Sequence, residues 1–395
     1  VTKTFTNIVC ETSFLSFTKE EWNRLVPEDS MFQEWEFLST LESSGCIGRS
    51  GDWDIRILSY REAGVLRGVL PFYKRKDSYG EYIFDFQWAD AFHRAGIPYY
   101  PKYSSAVPFT PVTGSRILIS PDISEEGKVT EIQKSLLDAL VSKGEEECVS
   151  SVHVLFCKEE ELKSGKLSGF VPRVTHQYHW FNKDFQSFED YLGTLVKDRR
   201  KTIKQERKKI AALPIRIETL VGDAIGKEHA DIFYSFYQDT HSRKWGQAYL
   251  NHQFFRTIFD VMKHRIHLVL ASDESGKPIG GSFNFYRGDY LFGRYWGATS
   301  HVPNLHFECC YYQLIEFAIR NKMKRVEAGA QGEHKFLRGY EAVPMYSMHY
   351  IYNESGRQAI YHYLEKEILM EEANIKEYNH HSPIKSLRNG DGNDN

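Results

Sequence analysis

The run Gly329-Ala330-Gln331-Gly332-Glu333-His334-Lys335 sets a carboxylate, an imidazole and an amine next to one another in a loop of small residues. Small residues let a ligand approach the backbone, and Glu333 and His334 supply a base and an acid within one loop, with Lys335 beside them to bind substrate. That combination suits acylation of an amine. Such a reaction needs an electrophilic carbonyl held by hydrogen-bond donors, a base for the amine proton and an acid for the leaving group; a covalent nucleophile is optional. A helix expected over residues 305–320 adds to the set. Steps of about 100° per residue gather His306, Gln313, Glu316 and Arg320 on one polar face, whereas Glu308 falls among Tyr311, Ile315 and Ile319 on the apolar side. A carboxylate placed there needs a raised pKa or a partner, so Glu308 is a second candidate base. The plainer reading is a first-turn glutamate favoured by the helix dipole and reaching solvent. Nothing next to Cys309 or Cys310 would generate a thiolate nucleophile.

Residues 197–209 hold the strongest local charge, Lys197-Asp198-Arg199-Arg200-Lys201-Thr202-Ile203-Lys204-Gln205-Glu206-Arg207-Lys208-Lys209. The run extends a helix begun at a capping box over Ser187 to Asp190, with Leu192, Leu195, Val196, Ile203 and Ile210 as its buried stripe. Lys197, Lys201, Lys204 and Lys208 read as an ordinary solvated face. Arg200 and Arg207 stack along the border of the stripe, and their guanidinium groups suit a diphosphate or a nucleotide phosphate.

The elements that must position these groups occur twice. Residues 65–73 followed by 82–89 and residues 278–286 followed by 290–297 each read as a hairpin whose second strand is aromatic and ends near a tryptophan. Asp90 and Tyr295 sit with Trp88 and Trp296 at these corresponding hairpin ends; the tryptophans read as core, Asp90 as the better site member. Further on, 151–156 and 176–180 are echoed by 325–330 and 344–350. A repeat of about 200 residues means two whole domains rather than a solenoid. The second copy is the cleaner: a strand, two helices, three antiparallel strands, a helix over 305–320, a strand, a helical loop and a closing strand. Its β-α-β crossover inserts one parallel pair into an antiparallel sheet. Where pairing changes, strands can splay and leave backbone donors free to hold a carbonyl. The expected domains are 1–186 with an inserted Tyr- and Pro-rich loop at 89–116, a basic connecting helix at 187–213, a second domain at 214–378, and a disordered tail at 379–395.

Composition narrows the class. With 395 residues and 41% hydrophobic content the chain can bury two ordinary cores. Fifty basic against 53 acidic residues exclude a protein built around nucleic acid as a whole, so any phosphate contact is local. No run of 18 apolar residues predicts a spanning helix, and the start Val1-Thr2-Lys3-Thr4 lacks a secretion signal and an initiator Met, as in a trimmed chain. Six cysteines without Cys-x-x-Cys or zinc-ligand spacing predict a reduced, cytoplasmic protein with no metal.

Several long motifs resemble one family: residues 79–85, 88–91, 106–114, 305–313 and 327–335 look like the FemAB-like predicted N-acyltransferases of the GNAT superfamily, over nearly the whole chain. The resemblance implies an α+β, tandem GNAT fold with two mixed, mostly antiparallel sheets flanked by helices. It also implies a link to the Fem transferases, which move an amino acid from aminoacyl-tRNA onto a peptidoglycan precursor. Arg200-Lys201-Thr202-Ile203 is similar to the Arg-x-Asn-Ile pattern at which Fem-type enzymes hold substrate phosphate, with Thr202 in place of Asn. Ordinary GNAT enzymes grip coenzyme A with a Gly-rich turn; here 297–304 has a single glycine and departs from it. The expectation is an N-acyltransferase that uses acyl-CoA or aminoacyl-tRNA and a small-molecule or peptide amine, with a phosphate-bearing substrate and tRNA as potential partners. Glu333 or Glu308 takes the amine proton, His334 assists, and Arg200 with Arg207 anchors phosphate. The other class is a non-catalytic protein that recognises a peptidoglycan precursor or peptide.

Overall fold

The computed structural model describes residues 6–48, 51–243, 248–329 and 332–388, with Arg243 described by its backbone alone. The chain divides into two units, and the division is not linear along the sequence: residues 1–175 go with 344–372, and 176–343 with 373–395.

In the first unit the hydrogen-bonded strands follow the order Ile8–Glu11, Asp54–Glu62, Val65–Arg75, Lys102–Ser105, Ser151–Cys157 and the later part of Glu341–Ile351. Neighbours are antiparallel except Lys102–Ser105 beside Ser151–Cys157. The second unit repeats the scheme with Arg216–Val221, Ile266–Ser272, Pro278–Arg287, Tyr290–Ala298, Arg325–Glu327 and the end of Val171–Phe181. Its one parallel pair is Tyr290–Ala298 beside Arg325–Glu327. Each parallel step needs a crossover, supplied by helix Glu126–Glu146 in the first unit and by the helical segment 305–320 in the second. The closing strand of each sheet comes from the other half of the sequence: His349 lies opposite His153, and Trp180 opposite Val326.

Burial explains the layers. In the first unit Leu136 and Leu140 of the crossover helix pack with Leu70, Phe72, Val152 and Val154 of the sheet. In the second, Leu314, Ile315 and Ala318 pack with Leu291, Val326 and Trp180. No described helix is long and apolar enough to cross a membrane.

Four expectations change. Residues 82–89 are not a strand: Tyr82 has φ +63°, and Phe86–Arg94 is a helix that buries Trp88 and Phe92, four residues apart. Of the alternating aromatics that suggested a strand, Phe84 and Phe86 are instead exposed, with their rings stacked at 5.6 Å. The inserted segment 89–116 is not a loop throughout either. It supplies strand Lys102–Ser105, and Ala106, Val107, Phe109 and Val112 are buried. The basic helix is broken in two, Phe188–Thr194 and Lys197–Ala211, because Leu195 and Val196 are extended; Leu195 bridges to Ile384, and the Val196 N–H donates to the Pro383 carbonyl. Residues 381–388 are not a disordered tail, since Ser382 and Ile384 are buried and Lys385–Arg388 is helical; residues 389–395 lie outside the described ones.

Candidate functional site

The parallel pairing in the second unit runs only from Tyr290 opposite Arg325 to Phe292 opposite Glu327, and Gly293 to Ala298 continue without that partner. A side chain at Gly293 would crowd Leu314 at 3.1 Å and the Glu327 carbonyl at 3.4 Å, so glycine permits the close approach just where pairing stops. Beyond Glu327 the chain passes Gly329 and Gly332, at φ +79° and +123°, both in the region that favours glycine, with Ala330 and Gln331 between them outside the described residues. It then enters the short helix Glu333–Phe336.

This stretch carries the candidate chemistry. Lys335 is buried, and its Nζ donates to the Gly329 carbonyl at 2.7 Å. Burial, helped by the positive charge of Arg294, pushes its pKa down to about 7. His334 is half-buried, with Nε2 2.7 Å from the Tyr311 hydroxyl. Burial, with Lys335 and Arg338 nearby, lowers its pKa, so the imidazole is neutral at pH 7. His306 stacks edge-on between Trp296 at 5.2 Å and His334 at 5.8 Å. Glu333 is exposed at the start of the short helix.

The supporting residues come from the segment 305–320, whose middle, Glu308–Tyr312, is a π-turn, a local widening common at functional sites. The π-turn places Tyr311 against His334 and Tyr312 against the basic helix. The Tyr312 hydroxyl donates to Glu206 and accepts from Arg338 Nε at 2.8 Å. Arg338 lies 3.5 Å over the Phe307 ring, pairs with both oxygens of Glu206 at 2.8 and 2.9 Å, and donates to the His334 carbonyl at 2.8 Å.

Glu308 is buried and finds the partner its position demanded. Arg207 donates to its two oxygens at 2.9 and 3.2 Å, and Gln313 Nε2 donates at 2.8 Å. Arg207 also pairs with Glu316 at 2.6 Å and lies over Phe188. Both groups are therefore spent on each other: Glu308 has little spare capacity as a base, and Arg207 little for phosphate. Arg200 is half-buried and makes no ion pair among the described residues. Tyr295 belongs to an aromatic layer with Tyr237, Phe255 and Phe283. Asp90 lies in the first unit, exposed and paired with Arg94 at 2.5 Å. The thiols of Cys309 and Cys310 are pushed up by burial and offer no thiolate.

Two cavities flank this centre within the second unit. One, about 440 Å³, is lined by Trp296, Ser300, His301, Asn304, His306 and Phe307, at the turn that opens the crossover segment. The other, about 470 Å³, lies along the basic helix between Leu192, Lys204, Lys208, Ile215 and Ile217, with Arg207 and Glu308 on its wall. Sequence reading missed Tyr311, Arg338 and Glu206. Tyr311 looked like one more apolar-face residue, and Glu206 like dilution of a basic run.

The sequence matches the FemAB-like family, described as peptidoglycan biosynthesis/recognition, over residues 13–386. The chain belongs to the FemAB-like family. Among solved structures, this FemAB-like chain is similar to FemX at 12% identity, covering 87% of this chain and 98% of that one with a TM-score of 0.53. It is similar also to the C-terminal domain of a suggested lysylphosphatidylglycerol synthetase from Agrobacterium fabrum, at 7% identity, 88% and 94% coverage and a TM-score of 0.53. A conserved protein of unknown function from Bacteroides thetaiotaomicron VPI-5482 follows at 10% identity, 85% and 98% coverage and a TM-score of 0.51. No curated protein sequence matches. At these identities the likeness is one of fold, and the fold is the expected mixed α+β, tandem GNAT-like one.

Proposed function

We propose that the second unit transfers an aminoacyl or acyl group onto an amine, with His334 taking the amine proton and Lys335 protonating the leaving group. The observation that carries this reading is Lys335 itself: a buried amine pushed down to about 7 and seated beside a neutral imidazole, where the sheet parts. An acid whose pKa matches the working pH is the efficient kind. The acceptor nitrogen attacks the carbonyl carbon, and its proton passes to His334. In the tautomer that donates Nε2–H to Tyr311, Nδ1 keeps its lone pair for that proton. As the carbon–oxygen or carbon–sulfur bond breaks, the departing atom takes a proton from Lys335. One Lys335 hydrogen stays on Gly329, which fixes the amine for proton transfer. Glu333, exposed one residue away, draws the ammonium form of the acceptor toward the loop, where it loses one proton to solvent before the neutral nitrogen attacks.

The donor on this reading is an aminoacyl ester of tRNA. Coenzyme A needs a row of free backbone N–H groups for its pyrophosphate. The turn 297–304 holds one glycine and Pro303, which has no N–H, while the N–H groups of Leu305 and Glu308 donate to Val302 and Asn304. Arg200, Lys201, Lys208 and Lys209, without ion pairs among the described residues, supply phosphate contacts instead. The acceptor is the amine of a peptidoglycan precursor, in keeping with the family's description.

The test supplies purified protein with charged tRNA and an amine-bearing peptidoglycan precursor, and in parallel with acyl-CoA thioesters. Transfer from tRNA that falls at least about 100-fold in His334→Asn and Lys335→Met supports the reading. Thiol release from acyl-CoA overturns the donor. No transfer from any donor, with precursor binding retained, returns the protein to the recognition class.

A further inference from the structure

Of the large apolar side chains that stand exposed among the described residues, the aromatic ones gather in one place: Tyr79, Phe84, Phe86 and Tyr363, all in the first unit, joined there by Leu369 and Met370. Phe86 stacks with Phe84 at 5.6 Å and leans on Tyr79 at 5.9 Å, so these three rings form a cluster held in water rather than scattered residues. An exposed apolar cluster of this kind marks an interaction site.

The cluster borders a cavity of about 390 Å³, within the roughly 300–1,000 Å³ of small-ligand sites. Helices Phe86–Arg94 and Glu354–His380 form its walls, through Trp88, Ala91, Phe92, Ala359, Ile360 and Tyr363. The lining contains no charged side chain; Gln87 and Ser355 are its polar members. Arg173 ties cavity and cluster together. Its guanidinium lies 5.0 Å over the Trp88 ring, donates to the Phe84 carbonyl at 2.9 Å and pairs with Glu367, which accepts from the Tyr363 hydroxyl. Tyr363, Glu367 and Met370 fall on one face of their helix by spacing.

We propose that this cavity takes one aliphatic chain of a membrane lipid, with Tyr79, Phe84, Phe86, Tyr363 and Met370 resting on the bilayer around its mouth. An uncharged, apolar hollow selects a hydrocarbon chain over a headgroup or a peptide with its many polar groups. Aromatic rings with a polar tip, as on Tyr79 and Tyr363, suit a membrane–water boundary. None of these residues is among those assigned to transfer, so a soluble acceptor needs none of them.

Isothermal titration with alkyl phosphocholines of eight, ten and twelve carbons, kept below micelle formation, reads the cavity. Affinity rises about fifteenfold for each added pair of methylenes, from ~0.8 kcal/mol per buried CH2. Ala359→Phe fills the hollow and loses at least tenfold in affinity for the twelve-carbon probe; Ala91→Phe does the same from the opposite wall, should the first variant fail to fold by circular dichroism. Both keep transfer to a soluble acceptor. Co-sedimentation with phosphatidylglycerol–phosphatidylcholine vesicles reads the rim, and the triple variant Tyr79→Ser, Phe84→Ser, Phe86→Ser pellets at least fivefold less. Chain-length-independent binding, or folded cavity variants that bind as the parent does, overturn the site. Chain binding without vesicle attachment overturns the bilayer as its source.

Discussion

At residue scale the site is decided by how its ionisable groups divide their obligations. Glu308, Arg207 and Glu316 satisfy one another, and Glu206 satisfies Arg338, which leaves Lys335 and His334 as the titratable pair not consumed by an ion pair. Their environments set the pH profile. Burial lowers His334 below its ordinary 6.5, so it is a competent base until the pH falls beneath that shifted value. Lys335, at about 7, is a competent acid only while protonated, so the rate declines as pH rises through 7. The expected kcat/KM profile is a bell with its alkaline limb near 7 and its acid limb below 6.5. Lys335→Arg, which stays protonated, removes the alkaline limb while retaining measurable turnover. An unchanged alkaline limb in that variant would assign it to another group and remove Lys335 from the chemistry.

At the scale of elements, what was legible in the sequence was what local periodicity and turn residues determine. The second unit's helices Lys227–Arg243 and His252–Val261 and its strands from Arg216 to Ala298 follow from apolar spacing, and its parallel step from the order of elements. Its closing strand does not, because the strand expected to close it at 344–350 pairs with Ser151–Cys157 in the first unit and Val171–Phe181 takes its place. What was not legible depends on partners distant in sequence. Residues 82–88 alternate like a strand, yet their conformation is fixed by Glu81 and Asp85, which are buried on Lys102 about twenty residues later. Lys102 Nζ donates to Ser78 at 2.7 Å, Glu81 at 2.8 Å and Asp85 at 2.5 Å, and Tyr99 donates to Asp85 at 2.6 Å. One fully buried amine thus pins strand Lys102–Ser105 to the loop before helix Phe86–Arg94. In the same way Glu308 announced from the sequence that it needed a partner, but not that Arg207 would be the one. Lys102→Met strands two buried carboxylates and costs about 3–5 kcal/mol, read as a lower denaturant midpoint for the first unit. A loss under about 1 kcal/mol would mean that the carboxylates find other donors and that the loop does not depend on this tie.

For the molecule as a whole, both units bury neutral imidazoles, and this sets its response to acid. His153 and His349 lie in the first unit with their Nδ1 atoms 2.7 Å apart, one donating to the other, while Ser151 and Ser347 engage their Nε2 atoms. Another proton would bring N–H against N–H, with Lys102 and Arg173 adding positive charge nearby. His179 and His267 are buried in the second unit. Burial pushes His153 and His267 down to about 3, and His179 and His349 well below their ordinary range. In the unfolded chain each imidazole titrates near 6.5, so below that pH the unfolded state binds protons that the folded state refuses. The stabilisation is complete above 6.5 and falls by about 1.4 kcal/mol per pH unit for each histidine as acid is added, until the folded pKa is reached. By pH 5 each unit loses roughly 4 kcal/mol from its pair, a large part of the ~5–15 kcal/mol of a typical domain. Asp85, held low against burial by Lys102, adds its loss only below about 3.8, so the two effects separate along the pH axis. Urea unfolding at pH 7, 6 and 5 therefore shows steeply falling stability, and replacing His153 and His349 together by phenylalanine flattens the slope of the first unit alone. A stability independent of pH across that range would require these imidazoles to be charged or hydrated in the folded protein, against the burial that otherwise holds them neutral.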